Sequence, residues 1–298
     1  MKMVFFKMLL AFCLVFLSSF VFGQAKVSIS GAVEWDKMEI SAVISLDIVS
    51  AGIKLPAGRT QGEMIIASEY LRLIRPCILN LQVDSSLKIS DVIEQGEWAI
   101  SDLEALALQA KTTPPALSHD LSRLTANYSL NIEGISSALI RHNRVSEIPR
   151  TFNPVITPAY TGIIIIAKDE LPVHGRRNSA LLRPCLFPKI WDSEMNLIFE
   201  KNMLNPKAGS MANYFSMDNL FANRPSGLSP EIAAIVGENP LKIFAQGVFG
   251  INPTDPIINR NDTLQIISTP ENRSLLREGR LAIILGDSVF RSPLGNRE

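Results

Sequence analysis

Apolar and polar residues alternate with period two soon after the chain begins. Val27, Ile29, Val33 and Trp35 interleave with Ser28, Ser30, Ala32 and Glu34, and after Asp36-Lys37 the alternation resumes through Met38, Ile40, Ala42, Ile44, Leu46 and Ile48. Successive side chains of an extended strand point to opposite faces, so these runs predict two half-buried strands joined as a hairpin. The Leu55-Pro56-Ala57-Gly58 break ends the alternation. From Thr60 to Gln82 the period becomes helical: Ala67, Tyr70, Leu71, Ile74, Cys77, Ile78 and Leu81 recur at three and four and form one apolar stripe. Pro76 lies within that stripe and lacks a backbone donor, which predicts a kink.

Further on, Ser101-Asp102-Leu103-Glu104 has the spacing of a capping box and predicts a helix to about Lys111, stopped by Thr112-Thr113-Pro114-Pro115. Tyr128, Leu130 and Ile132 predict a strand, with Gly134 as a bulge. Three prolines in residues 146–159 mark a connection. Ile163–Ala167 and Leu281–Leu285 are apolar at every position, as expected of strands buried on both faces. Residues 202–230 read as an insertion with one short helix near Met211–Met217, and Leu241, Ile243 and Ala245 as a strand. Asn259 and Thr269-Pro270 are helix-start signatures for helices over 260–267 and from 270 to about Gly279.

These elements predict an α+β fold: a mostly antiparallel sheet with helices packed on one face, divisible into two subdomains. The expected segments are a signal peptide (1–23), an N-terminal α+β domain (24–145), the proline-containing connection (146–159), a C-terminal portion completing the sheet (160–290) and a frayed polar tail (291–298).

The leader changes the picture most. Lys2 and Lys7 precede the apolar run Met8–Leu17, and Val21 and Gly23 are small enough to precede cleavage before Gln24. The run is short for a membrane span of roughly 20 residues, although retention as an anchor is the alternative. Cys13 lies inside the apolar run, so lipidation is not expected. The expectation is a periplasmic protein with no transmembrane span in its mature chain, whose residual charge is −2. That balance offers no basic surplus for nucleic acid. Two cysteines remain after cleavage, Cys77 and Cys185, each in an Arg-Pro-Cys triplet. They form either a disulfide closing a loop of about 110 residues or two buried thiols, the second favoured by their apolar neighbours.

Candidate chemistry is sparse. The sequence contains no G-x-G-x-x-G, P-loop, G-x-S-x-G or H-E-x-x-H pattern, and His119, His142 and His174 lack ligand spacing. The reading is a non-enzyme with no cofactor and no metal. Asp169-Glu170, at the end of the buried strand, reads as a solvated strand end rather than a general acid. His174, Arg176 and Arg177 form the one local basic cluster, suited to an acidic partner, anionic lipid or peptidoglycan, or else a solvated loop. The three tryptophans do not form a stacking series.

Several segments in order carry a resemblance: Gly31–Trp35 before a strand, Val83-Asp84-Ser85-Ser86 after a helix, Tyr160-Thr161-Gly162 before Ile163–Lys168, then Leu182–Asp192, Pro240–Gly247 and Thr254-Asp255-Pro256. This order resembles exported flagellar-accessory proteins of the lipoprotein type, the FlgP-like and FlgT-like group. The resemblance implies a non-catalytic structural component of the periplasmic flagellar motor periphery, acting in motility through a ring, disk or collar. Its implied partners are flagellar motor or envelope proteins and copies of itself. The alternative is an envelope or peptidoglycan-binding module without a flagellar role.

Overall fold

The computed structural model describes residues 27–220 and 227–294. The expected signal peptide and the last four residues of the expected tail lie outside the described residues.

The first half is built on β1 (Val27–Glu34) and β2 (Glu39–Asp47), paired antiparallel from Val27↔Leu46 to Glu34↔Glu39. The connection is Trp35–Met38 rather than two residues, and Met38 takes the positive φ (49°) that brings the chain back. Along β2 burial alternates strictly, with Ile40, Ala42, Ile44 and Leu46 inward. Helix α1 (Arg59–Leu79) covers this face with Ile66, Tyr70, Leu73, Ile74, Cys77 and Ile78; of the predicted stripe Tyr70, Ile74, Cys77 and Ile78 are buried in it, whereas Ala67 is exposed, Leu71 half-buried, and Ile66 and Leu73 take their places. Pro76 falls in its last turn and leaves the Arg72 carbonyl without its helical N–H donor. Two short helices follow, α2 (Ile89–Glu94) and α3 (Ile100–Ala107). Helix α3 begins one residue before the predicted box, with Ala99 at its cap and no side-chain capping bond.

The strands β3 (Lys111–Thr112) and β4 (Ala116–Leu117) both pair with β5 (Arg123–Asn131), which lies against β2 from Glu39↔Asn131 to Asp47↔Arg123. Gly134 is not a bulge. It sits in α4 (Ile132–Leu139), where the Glu133 N–H donates to the Asn131 side chain at 2.6 Å and caps the helix.

Residues 146–159 have no regular structure, as expected. The following stretch is pinned by Asn272, which accepts from the Tyr160 N–H (3.2 Å) and donates to the Pro158 (3.1 Å) and Gln265 (2.9 Å) carbonyls.

The second half opens with β6 (Ile163–Ala167), buried at all five positions. A small hairpin of β7 (Leu171–Pro172) and β8 (Ser179–Ala180) follows, then β9 (Ile190–Asp192) and β10 (Leu197–Phe199). Residues 213–216 form β11 (Asn213–Ser216), a strand where the sequence predicts a helix; its aromatic residues Tyr214 and Phe215 are buried in register with β15. Next come α5 (Met217–Leu220), α6 (Pro230–Val236), β12 (Leu241–Phe244), β13 (Gly247–Phe249) and β14 (Asp255–Ile258). Helices α7 (Arg260–Ile267) and α8 (Pro270–Arg277) are capped by Asn259 and Thr269 as predicted. The chain returns through β15 (Leu281–Leu285) and ends in β16 (Arg291–Pro293).

The architecture is α+β in two subdomains, with an antiparallel sheet in the first. Residues 160–290 do not complete that sheet: of the second half, only the terminal strand β16 joins it, at its β1 edge. The second half brings its own, ordered β11-β15-β6-β12 and parallel throughout, beside a mixed β10-β9-β14-β13 sheet. Parallel neighbours need long crossovers, and the connections between β6, β11, β12 and β15 supply them. The alternate residues of the all-apolar strands divide between two cores. Ile164, Ile166, Ala282 and Ile284 pack with α5 and α6, whereas Ile163, Ile165, Ile283 and Leu285 join the large core that continues into the first half. The expected frayed tail is also corrected: Arg291–Pro293 adds a strand beside β1, and the buried Leu294 donates its N–H to Gly31 at 2.9 Å.

Candidate functional site

The two halves meet along a polar seam centred on the turn Val83–Leu87. Asp84 holds the turn by accepting from the Ser86 (2.8 Å) and Leu87 (2.9 Å) N–H groups. The turn's outer carbonyls then serve the second half. Leu186 donates its N–H to Gln82 (3.0 Å), Phe187 to Val83 (2.8 Å) and Asn252 to Ser85 (2.9 Å). The Asp84 carboxylate lies 3.8 Å from the Lys189 ammonium. Gly250 permits the approach: at φ +114° a Cβ would stand 2.3 Å from the Ser85 Cβ.

Asp255 anchors the far side. It is fully buried and accepts from the Lys189 N–H (3.2 Å), the Thr254 hydroxyl (3.0 Å) and the Trp191 indole N–H (3.4 Å). Burial raises its pKa above the ordinary 3.8, against the downward pull of those donors and of Ser85. The folded chain therefore holds a proton that the unfolded chain has released, and the stability linked to Asp255 falls as pH rises from 3.8 through its folded pKa. Denaturant melts at stepped pH values should show the gap in unfolding free energy between wild type and Asp255→Asn falling across that window, then levelling. A gap that widened with pH would contradict this placement of the carboxyl.

Beside Asp255, the Tyr214 hydroxyl donates to the Cys185 carbonyl (2.8 Å) and accepts from its N–H (3.1 Å). Trp35, from the β1–β2 turn, meets Tyr214 edge-on at 5.8 Å and 80°. The Trp35 backbone N–H donates to the Phe290 carbonyl at 3.2 Å. Tyr214 and Cys185 are both fully buried, and burial pushes both of their pKa values up.

The Cys77–Cys185 disulfide considered from sequence does not form. Cys185 is a buried thiol, and the Cys77 thiol donates to the Leu73 carbonyl one helical turn back at 3.7 Å. Cys77 packs in the large apolar core, whereas Cys185 is held by the Tyr214 hydroxyl beside Thr254 and Asp255. Alkylation of the native protein should leave Cys185 unmodified, and denaturation without reductant should expose it fully to the reagent. A requirement for reductant would restore the disulfide.

Where the seam opens to solvent it forms a groove of about 560 Å³. Its floor and walls include Trp35, Cys77, Leu81 and Pro184, and three cationic side chains stand around it: Lys88 from the first half, Arg183 from the second and Arg291 from β16. Among the described residues no acid lines it. Sequence reasoning missed this arrangement because the three cations are far apart along the chain, and the only signal was Arg183 inside one of the Arg-Pro-Cys triplets.

The basic cluster His174, Arg176 and Arg177 lies elsewhere, exposed in the β7–β8 hairpin. Arg176 donates to the Gly250 and Ile251 carbonyls, both at 3.3 Å. His174 meets the Phe249 ring at 6.0 Å, and Phe249 meets Trp191 at 5.4 Å. The fold thus builds a short aromatic row that sequence spacing had hidden. Asp169 is solvated beside Lys168 at 3.7 Å. His142 is spent on the Leu204 carbonyl at 2.8 Å, far from His174 in the chain. Among the described residues no group of three or more His, Cys, Asp or Glu side chains is placed to hold a metal ion, and no helix is long and apolar enough to cross a membrane.

These features define a two-domain α+β protein whose halves share one hydrogen-bonded seam. Residues 26–138 match the family described as Treponema pallidum Tp0624, N-terminal domain. Residues 162–287 match the family described as Treponema pallidum Tp0624, second domain. The chain is thus similar to two successive domains of that protein, in the same order, with the proline-containing connection between them. No curated protein matches the chain.

Proposed function

We propose that the protein is an exported, non-catalytic structural component of the cell envelope, working at the periphery of the flagellar motor by assembly with itself or with motor and envelope proteins. The observation that supports this reading is the seam. Three backbone hydrogen bonds at the Val83–Leu87 turn, the pairing of β16 with β1 and a shared apolar core tie the halves together. Such a joint suits a part that transmits load or fixes spacing, since a hinged enzyme needs halves that open. The ordered segments resembling flagellar-accessory proteins supply the assignment to the motor. Crosslinking in swimming cells followed by pull-down tests it. Motor-ring or stator components should be recovered, and a deletion strain should lose motility. Intact motility with only other envelope proteins recovered would remove the flagellar role.

One observation favours a second reading, a peptidoglycan-binding module. Arg176 is fixed by two carbonyls beside the His174–Phe249–Trp191 row, and cations next to aromatic faces suit glycan and carboxylate together. Under that reading, Arg176→Ala with Arg177→Ala abolishes sedimentation with cell-wall sacculi; unchanged sedimentation dismisses it.

A further inference from the structure

We infer that the groove at the seam is a binding site for a short acidic peptide segment of a partner protein. This goes beyond the assembly role and holds whether or not the assembly is flagellar. The charge is the first ground. The exposed Arg183 guanidinium has no hydrogen-bond or ion-pair partner among the described residues. Among the described residues the Lys88 ammonium reaches the neutral Asn80 amide oxygen, at 3.3 Å. Arg291 is 4.0 Å from Glu34, but that carboxylate is already engaged by Lys37 at 2.5 Å. Three cations, of which Arg291 shares Glu34 with Lys37, therefore face a cleft whose described lining holds no acid, and clefts walled by protein focus such a potential.

The shape and lining select the ligand. A volume of about 560 Å³ is within the range of ligand clefts and admits a short stretch of chain. Asn252 brings an amide group to the lining, and the Gln82 amide oxygen can accept from a peptide main chain, while the Gln82 amide N–H groups are spent on the Asp84 and Leu87 carbonyls and the Asn80 amide on the Pro76 carbonyl and Lys88. Nucleic acid is disfavoured because Trp35, the aromatic side chain lining the groove, is only 3% exposed and offers no stacking face. Lipid is disfavoured because none of the large exposed hydrophobic residues lies in the lining. Added-strand pairing is blocked at β16, whose Pro293 has no N–H to give. Recognition must then run through side chains: carboxylates on the cations, main chain on the amides.

The test uses the purified protein and a labelled short peptide of alternating acidic and small residues, read by fluorescence anisotropy at low salt. The peptide should bind, and added salt should weaken it. Its Asn/Gln counterpart should not bind. Lys88→Ala and Arg183→Ala should each weaken binding by about tenfold, the scale of one charge-assisted contact, while Arg176→Ala leaves it unchanged. Both lost side chains are exposed, so circular dichroism should be the same as wild type. Equal binding of the neutral peptide, equal weakening by Arg176→Ala, or no binding at all would overturn the inference. Sacculi that bind more tightly than the peptide, and lose binding in the same two variants, would overturn the protein partner in favour of cell-wall stem peptides.

Discussion

Replacing Gly31 by alanine should destabilise the protein by about 3 kcal/mol or more, among the largest effects of any single methyl added to this chain. Gly31 lies in β1 opposite Ala42, with φ +147°. A Cβ there would stand 2.0 Å from the Ser41 carbonyl oxygen and 3.0 Å from the Ala42 Cα. Both atoms are backbone of the central strand β2, so no side chain can swing aside. Relief requires β1 to move away from β2, and the Gly31 carbonyl then loses the Leu294 N–H that ties in β16. Urea denaturation would show a lower midpoint. A midpoint within experimental error of wild type would mean that β1 does not cross β2 as closely as described.

Trp35→Ala should cost about 3–5 kcal/mol, the range for deleting a large buried aromatic. Trp35 is 3% exposed and stands between the halves, against Tyr214 on one side and the groove on the other. Its loss removes the edge-on contact that steadies the Tyr214 hydroxyl on Cys185, so the damage should spread to the seam. The calorimetric transition should broaden or divide as well as fall in temperature. A lower midpoint with an unbroken single transition would place Trp35 in the first core alone.

Much of the fold could be read from local pattern, because local pattern is set by the same periodicities that the structure obeys. The alternation through Ile40, Ala42, Ile44 and Leu46, the helical stripe ending at Ile78, and the caps at Asn259 and Thr269 all follow from the geometry of one element at a time. The errors share a cause as well. Tyr214 and Phe215 sit in a polar stretch whose local pattern shows no strand, and only pairing with β15 makes them one. The direction of the second sheet depends on crossovers, which no window of residues reveals.

The candidate site was legible only in fragments. Val83–Ser86, Arg183-Pro184 and Thr254-Asp255 each stood out in order along the chain, and the fold brings them to one seam. The groove itself was invisible, because Lys88, Arg183 and Arg291 acquire a common field only when three distant segments meet. The basic loop was visible for the opposite reason: His174, Arg176 and Arg177 are neighbours in sequence, and that contiguity says nothing of the Phe249 and Trp191 rings behind them.

The central claim is that the two matching segments form one body through the Val83–Leu87 seam. Differential scanning calorimetry of the purified protein tests it most directly. One transition, with equal calorimetric and van't Hoff enthalpies, is the predicted result, since halves that share a core should unfold together. Two separable transitions in the wild-type protein, with that of the second half unmoved by Trp35→Ala in the first, would contradict it.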